Sequence, residues 1–204
     1  MAKPSETAKL AAVLLAAGQS TRLGQSKQLV EIDGESLVRR LARHLLGLDP
    51  VCVMVVTGYG SSEVQRAVGD LPVNVVKNES WEQGIGSSIA CGARYSPEEI
   101  DGLLVAVCDL WKLDALDLER LLTAWTTDIS RISIASWFDE ESFVYGPPAI
   151  FPRKLIRELT SLTGNQGAKA LVARHQDNVQ FIEVENAAYD LDTPADLEQV
   201  VKRR

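Results

Sequence analysis

Apolar and polar positions along the 204-residue chain form blocks that predict strands and helices in alternation. Some runs are apolar without alternation, which is typical of strands buried on both faces. These runs cover residues 9–17, 51–58, 73–76 and 102–110, and a fifth strand is predicted at 131–136. Between them, apolar residues recur at helical spacing, as at Leu37, Leu41 and Leu45. The segments 36–47 and 114–125 are therefore predicted to be amphipathic helices.

This alternation predicts an α/β fold, a three-layer sandwich in which a mainly parallel sheet is covered on both faces. No repeat, low-complexity tract or linker divides the chain, so one domain is expected over residues 1–204. Ligands of such sheets bind beyond the carboxyl ends of the strands. Four polar loops are expected there, at residues 17–28, 57–62, 77–88 and 108–112.

The charge of the chain limits the classes of partner. The chain carries 21 basic and 28 acidic residues, a formal net charge of −7. A protein that follows nucleic-acid phosphates would present a basic face, so a nucleic-acid partner is not expected. A nucleotide site remains compatible, because it requires only one or two local cations.

Two sequence features bear on the compartment. Lys3 and the apolar residues 10–17 resemble a secretory leader, but the polar residues 4–7 interrupt the pattern. No run approaches the roughly 20 apolar residues of a membrane span. Cys52, Cys91 and Cys108 lack the spacing of a metal site or a disulfide framework. A cytoplasmic protein with buried, reduced thiols is expected.

The first strand leads into a glycine-rich loop, with the sequence LLAAGQSTRLGQSK at residues 14–27. It lacks the middle glycine of a dinucleotide-binding loop, and its lysine is misplaced for a Walker A loop. The remaining pattern is G-x-S-x-R-x-G-x-x-K. Its glycines would let backbone amides form an anion nest, with Arg22 and Lys27 as cations for a polyphosphate. A surface turn with incidental cations is the alternative that the loop alone leaves open.

Four segments together resemble the nucleotidyltransferases of the MobA/MocA-like family, which attach a nucleotide to molybdopterin. The opening loop is similar to that family's L-A-[AG]-G-x-S-x-R-[ML]-G-x-x-K signature. The other three segments are NESWEQGIGSSIACGA at residues 78–93, YGPPAIF followed by LTGNQGAKALV, and YDLDTPADL near the C-terminus. The resemblance runs from about residue 10 to residue 200 and implies a nucleotide-diphospho-sugar transferase-like fold.

The resemblance also implies roles for particular residues. Arg22, Lys27 and Asp109 would be catalytic, and Asp109 and Asp192 would coordinate Mg²⁺. Such a hard ion prefers one or two carboxylates together with phosphate oxygens. The nucleotide would be bound by Leu15, Ala16, Ala17, Gly18, Ser20, Arg22, Lys27, Asn78, Gly84, Ser87 and Ser88.

The family resemblance further implies the two substrates. An alanine at the second position of the A-A-G triplet accompanies cytidine nucleotides, and a glycine there accompanies guanosine nucleotides. Ala17 therefore favours CTP over GTP. The expected reaction is transfer of CMP from CTP to the phosphate of molybdopterin, with release of pyrophosphate. A molybdenum hydroxylase is a further expected partner.

Two positions depart from the family pattern on the acceptor side. Trp111 stands where relatives have the proline of D-x-P, and Asn165 stands where they have an aspartate. These departures leave two alternatives. One is a nucleotidyltransferase for a sugar phosphate or another phosphorylated metabolite, whose acceptor would contact residues 111–113 and 142–170. The other is a non-catalytic nucleotide-binding or cofactor-binding accessory of a molybdenum hydroxylase.

Overall fold

The computed structural model describes residues 8–202, and it confirms the predicted α/β fold. The strands are β1 Leu10–Ala16, β2 Glu31–Ile32, β3 Glu35–Ser36, β4 Cys52–Thr57, β5 Asn74–Lys77, β6 Gly102–Val107, β7 Ile132–Asp139, β8 Ser142–Pro152 and β9 Val179–Glu183. The helices are α1 Leu37–Leu46, α2 Ser61–Val68, α3 Ile85–Arg94, α4 Ala115–Thr127, α5 Arg153–Leu159, α6 Ala168–Arg174 and α7 Pro194–Lys202. Residues 4–7, on which the argument against a leader depends, lie outside the described residues.

Seven strands form one sheet in the order β5-β4-β1-β6-β8-β7-β9, and β2 pairs with β3 separately. The pairs among β5, β4, β1 and β6 are parallel, whereas β8 is antiparallel to both β6 and β7. The sheet is therefore mainly parallel with an antiparallel element at one end. The carboxyl ends of β1, β4, β5 and β6 lie at one edge, which is where a ligand is expected.

The core lies in two layers, one on each face of the sheet. All of β1 is buried, and its alternate residues enter the two clusters: Leu14 packs in one layer and Val13 and Leu15 in the other. Gly92 brings α3 close to β1, because a Cβ there would lie 2.5 Å from a methyl group of Val13. This close packing brings the N-terminus of α3 towards the loop that follows β1.

Two further predictions concern the cysteines and the membrane. Cys52, Cys91 and Cys108 are free thiols, and burial raises the pKa of all three. Among the helices that the structure describes, none has the length and apolar character needed to cross a bilayer.

Candidate active site

A cavity of about 290 Å³ opens at the carboxyl ends of β1 and β6. Its walls come from the loop after β1, the turn after β6 and the N-terminal end of α3. The lining residues include Leu15, Ala16, Ala17, Gly18, Lys27, Trp81, Gly84, Ser88 and Asp109. The structure thus places most of the residues predicted to bind nucleotide around one cavity, which we call the first cavity.

The backbone of the glycine-rich loop is held from inside by Gln28, a fully buried side chain. Gln28 Nε2 donates to Gly18 O at 2.5 Å and to Ala16 O at 3.3 Å, while its Oε1 accepts from Ser26 Oγ at 2.7 Å. Ala17 O accepts from the backbone N–H of Tyr59 at 3.1 Å. Three successive carbonyl groups are therefore satisfied within the protein. A loop whose carbonyls are held in this way is suited to present its N–H groups to an anion.

Two cations and two carboxylates form a chain of ion pairs beside the loop. Lys27 Nζ contacts Asp109 Oδ2 and lies 2.8 Å from Asp192 Oδ1. Arg22, whose side chain is 72% exposed, lies 2.6 Å from Asp192 Oδ2. The side chains of Lys27 and Asp109 are each only 16% exposed. The chain of ion pairs joins residues far apart in sequence, and its formal charges sum to zero.

The surroundings shift the pKa values of these groups in opposite directions. Burial acts to lower the pKa of Lys27, but the charge of Asp109 and the hydrogen bonds to Asp109 and Asp192 raise it above its usual range. Burial acts to raise the pKa of Asp192, but Lys27 and Arg22 outweigh it and lower the pKa. Lys27 is therefore a fixed cation and Asp192 a fixed anion at neutral pH.

The two carboxylates fit the donor set of a magnesium site that is completed by phosphate. Asp109 Oδ1 is buried and has no hydrogen-bond partner within the described part of the chain, so one carboxylate oxygen remains available for a cation. Within that same part of the chain, no cluster of three or more His, Cys, Asp or Glu side chains could hold a metal. Mg²⁺ is commonly bound by one or two carboxylates plus substrate phosphates. Asp109 and Asp192 match that pattern rather than an all-protein cage.

The remaining predicted residues shape the wall formed by α3. Asn78 is buried, and its Nδ2 donates to Ser87 Oγ at 2.9 Å and to Ser88 Oγ at 3.1 Å. Gly84 has a φ of 109°, and a Cβ there would lie 2.3 Å from Asn165 Oδ1. Asn78 and Ser87 therefore lie behind the wall of the first cavity, while Gly84 and Ser88 line it. Ser20 does not line the first cavity either. Its Oγ accepts a hydrogen bond from the backbone N–H of Lys27 at 3.2 Å.

An aromatic pair contributes to the wall of the first cavity through one of its members, Trp81. Trp81 lines the cavity, and its ring centroid lies 5.9 Å from that of Tyr59 in an edge-to-face arrangement. Gly58 makes this approach possible, because a Cβ there would lie 2.6 Å from Trp81 Cβ and 2.8 Å from Ala17 O. Gly58 therefore lets the loop after β4 pack closely against both Trp81 and the backbone of Ala17, which lie in the wall of the cavity.

A second cavity of about 270 Å³ adjoins the first and shares Leu15, Ile85 and Val107 with it. Apolar side chains from β6, β7, β8 and α3 form most of its wall, with Asn165 and Lys169 as polar members. Part of the wall comes from the predicted acceptor region 142–170. The lining residues from this region are Gly146, Pro147, Ala149, Asn165, Gly167, Ala168 and Lys169. We refer to it as the second cavity.

Trp111 lines neither of these two cavities. It is 4% exposed and packs in a separate apolar cluster with Leu23, Leu191 and Val200. The backbone N–H of Trp111 also donates to Tyr189 O at 3.2 Å. Trp111 therefore joins the turn after β6 to the C-terminal segment that carries Asp192. Of the two predicted acceptor regions, the structure brings 142–170 to the second cavity and leaves Trp111 in the core.

Sequence reasoning missed Gln28 and Gly58 as residues of the site. Gln28 directly follows Lys27, and a polar residue next to the motif lysine gave no sign that it would be buried beneath the loop. Gly58 closes an apolar strand, a position that by itself signals only a turn. Their importance depends on contacts with residues distant in sequence, which the local pattern does not contain.

The fold and the site together define a nucleotide-binding α/β domain: parallel strands end at a glycine-rich loop, a fixed lysine and two carboxylates. The chain belongs to the MobA-like NTP transferase domain family, whose model matches residues 12–179. The family predicted from the sequence motifs is thereby confirmed, and the fold is that of the nucleotide-diphospho-sugar transferases.

Individual relatives extend this comparison. The bifunctional protein GlmU of Streptomyces griseus is 28% identical over 178 residues, which are 85% of this chain and 34% of that protein. The chain therefore spans about a third of the length of this curated relative. Rv0371c of Mycobacterium tuberculosis in complex with manganese has a TM-score of 0.77 at 22% identity, over 96% of this chain and 100% of that one. A CMP:2-keto-3-deoxy-manno-octonic acid synthetase complexed with CTP has a TM-score of 0.74 at 16% identity, over 96% and 98%.

Proposed function

We propose that this domain transfers CMP from CTP to the phosphate of molybdopterin and releases pyrophosphate, with Mg²⁺ as cofactor. The observation that carries the proposal is Lys27, a largely buried cation held between Asp109 and Asp192 beside the glycine-rich loop. Membership of the MobA-like NTP transferase domain family supports the same class of reaction.

The triphosphate would lie against the loop after β1. Gln28 and Tyr59 hold the carbonyl groups of residues 16–18, which favours contact between the loop N–H groups and phosphate oxygens. Arg22 is exposed and can turn towards the phosphates, whereas Lys27 lines the first cavity and is held there by its ion pairs. Together they supply local positive charge in a chain whose net charge is −7.

Transfer itself requires positioning and charge neutralisation. An oxygen of the acceptor phosphate attacks the α-phosphorus of CTP, and the bond from that phosphorus to the oxygen bridging to the β-phosphate breaks. Lys27 would neutralise charge that develops on the phosphates, and such electrostatic contacts dominate phosphoryl-transfer catalysis. Asp109 and Asp192 would hold Mg²⁺, which when bound neutralises triphosphate charge.

The preference for cytidine is assigned to Ala17, which is buried in the wall of the first cavity. In the resembling family this position distinguishes cytidine from guanosine nucleotides. Ala17→Gly is therefore expected to shift the CTP-to-GTP ratio of kcat/KM towards GTP. An unchanged ratio, measured with both nucleotides under one set of conditions, would remove Ala17 from the assignment.

The character of the second cavity supports a pterin acceptor. Apolar side chains such as Ile89, Ile134 and Ala149 line it and suit the flat face of a ring system. Lys169 at its edge is available to an anionic substituent. Because the second cavity adjoins the first at Leu15, an acceptor placed there lies next to the bound nucleotide.

A sugar-derived acceptor is the alternative function. The structural likeness to a CMP:2-keto-3-deoxy-manno-octonic acid synthetase complexed with CTP favours it. The two readings share the donor and the metal and differ only in the occupant of the second cavity.

An acceptor panel separates the two readings. Pyrophosphate release is measured with CTP and Mg²⁺, in the presence of molybdopterin or of a series of sugar phosphates. Release that depends on molybdopterin supports the proposal, and release with a sugar phosphate supports the alternative. Stabilisation of the protein by CTP without any transfer would instead favour an accessory protein of a molybdenum hydroxylase.

A further inference from the structure

The hairpin formed by β7 and β8 projects beyond the strands on either side of it. Strand β9 pairs with β7 as far as Ser136, and β6 pairs with β8 as far as Ala149. Beyond those points, within the described residues, 137–139 pair only with 142–144. We call residues 137–144 the arm. A two-stranded ribbon of this kind has little stability of its own in water, so a partner packed against one of its faces would stabilise it.

One face of the sheet at the arm carries a continuous group of aromatic rings, which we call the aromatic face: Phe138, Phe143, Tyr145 and Phe181. The ring centroids of Phe138 and Phe143 lie 5.7 Å apart, those of Phe143 and Phe181 5.2 Å, and those of Tyr145 and Phe181 5.3 Å. Phe138 is 69% exposed, Phe143 50% and Phe181 44%. Exposed aromatic rings that contact one another form a contiguous apolar patch, the kind of surface that proteins use for interaction.

Charges of opposite sign lie at the two ends of the aromatic face. The tip of the arm carries three successive carboxylates, at Asp139, Glu140 and Glu141, next to the Phe138–Phe143 pair. At the other end, Lys169 Nζ lies 5.8 Å from the ring centroid of Tyr145. Within the part of the chain that the structure describes, no ion pair engages any of these four charged side chains.

This order of anionic tip, rings and cation makes the surface complementary to itself. A two-fold axis through the rings would place the acidic tip of one copy beside Lys169 of the other, and the reverse contact would follow by symmetry. The rings of the two copies would cover each other at the centre, where aromatic side chains contribute most to binding. A partner of uniform charge would satisfy one end of the surface and oppose the other.

We propose that the aromatic face binds a second copy of this chain in a two-fold symmetric dimer. The net charge of −7 on each copy opposes association at long range, but physiological salt screens charges beyond about 8 Å. The close contacts between tip and Lys169 lie within that distance in the dimer and favour it. The dimer does not depend on which acceptor the domain uses, but Lys169 also lines the second cavity, so the dimer contact and the acceptor site share this residue.

Two variants, each with reversed charge at one end of the aromatic face, test whether a second copy of the chain binds there. The first variant carries Glu140→Lys and Glu141→Lys, and the second carries Lys169→Glu. Each variant alone would bring like charges together at both contacts, and we expect its dimer Kd to rise about tenfold or more. Mixed together, the two variants regain an opposite-charge pair at both contacts. Sedimentation velocity on each variant and on the mixture measures the result.

A wild-type dimer, weakened variants and a dimer restored by mixing are the expected results. Phe143→Ser should also weaken the dimer, because it removes a central ring, whereas Leu116→Ser should not. Leu116 is 71% exposed on α4, whose buried apolar residues belong to a different core layer from the one Tyr145 packs against, and it serves as the matched control. A wild-type chain that stays monomeric at every concentration would overturn the proposal. A wild-type dimer that Phe143→Ser and both charge variants leave unchanged would overturn it as well.

Discussion

The two cavities share Leu15, Ile85 and Val107, yet they differ in the charged groups that line them. The first cavity is lined by Lys27 and Asp109 and by a loop in which Gln28 donates to the carbonyl groups of Ala16 and Gly18. The second cavity is lined mainly by aliphatic side chains. One site is thus organised by charge and hydrogen bonds, and the other by shape.

The difference follows from where the residues of each cavity come from. The first cavity is built at the carboxyl ends of parallel strands, where polar loops converge by topology. The second is built where antiparallel β8 joins the sheet and the loop 163–167 packs on the start of α3, with the Gly86 N–H donating to Gly164 O at 2.9 Å. We therefore expect substitutions to affect donor and acceptor separately, according to the cavity they change.

The largest effect is expected from Lys27→Met. Removing the cation leaves Asp109 and Asp192 without the charge between them and removes a contact to the phosphates. The kcat/KM for pyrophosphate release should fall by about 10²- to 10³-fold, the cost of losing one preorganised electrostatic contact. Lys154→Met is the matched control, because Lys154 is exposed on α5 and lines neither the first nor the second cavity. Equal activity in the two variants would contradict the role of Lys27.

Gln28→Leu should have the next largest effect, through the loop rather than through contact with substrate. The leucine fills a similar volume but leaves Ala16 O and Gly18 O without their donor. We expect a loss of about 1–3 kcal/mol in the free energy of unfolding. The KM for CTP should rise, while the KM for the acceptor should change little.

The matched control is Gln65→Leu, on the exposed side of α2. Chemical denaturation and steady-state kinetics are measured on both variants. A Gln28→Leu protein with the wild-type KM for CTP would show that the loop does not depend on this side chain.

Ala149→Leu should affect the second cavity alone. Ala149 is 2% exposed and lines that cavity, so the larger side chain would occupy space expected for the acceptor. The KM for the acceptor should rise about tenfold, the scale of a small change of volume in an apolar pocket. Stabilisation by CTP should remain as in the wild type, and Ala170→Leu on the exposed side of α6 is the control. A parallel loss of CTP binding would show that the two cavities do not act separately.

The smallest effect on catalysis is expected from Gly58→Ala, which changes packing rather than a charge or a hydrogen bond. Its methyl group would lie 2.6 Å from Trp81 Cβ and 2.8 Å from Ala17 O, so both walls of the first cavity must shift. Overpacking of this kind costs about 1–3 kcal/mol in the free energy of unfolding. Gly18→Ala is the comparison, since its Cβ would meet nothing within 4 Å. Thermal denaturation checks the difference, and equal stabilities would argue against a close contact at Gly58.

The parallel half of the fold was predictable from the sequence. Strands β1, β4 and β6 are buried on both faces, and this requires the unbroken apolar runs that mark them, whereas the edge strand β5 is exposed at both of its ends. The start of α7 was also predictable, because Thr193 and Asp196 form local bonds: Thr193 Oγ1 accepts from the Asp196 N–H at 3.3 Å, and Asp196 Oδ2 accepts from the Thr193 N–H at 2.7 Å. Local chemistry was sufficient in both cases.

Of the half of the sheet around antiparallel β8, the sequence predicted only β7, as the strand at 131–136, and it predicted neither β8 nor β9. Strand β8 contains Gly146, Pro147 and Pro148, residues that argue against a strand when the sequence is considered alone. Strand β9 is short and only partly buried, so it lacks a clear apolar run. Pairing with β6 and β7 stabilises these segments, and such long-range contacts are absent from a local pattern.

The candidate site divides in the same way. The motif resemblance identified Lys27, Asp109 and Asp192, and the structure brings these three into contact across more than 160 positions of sequence. The motif resemblance gave no indication of Gln28 beneath the loop or of Gly58 beside Trp81. Trp111, expected near the acceptor, is buried beside the C-terminal segment because a large ring fills the space between Leu23 and Leu191.

Calorimetric titration of CTP in the presence of Mg²⁺ tests most directly whether the first cavity is the nucleotide site. Titrations into the wild-type chain, Lys27→Met and Ala149→Leu give three affinities under one set of conditions. We expect saturable binding to the wild type, the same affinity for Ala149→Leu, and an affinity at least about tenfold lower for Lys27→Met. Equal binding of CTP to the wild type and to Lys27→Met would contradict the assignment of the first cavity as the nucleotide site.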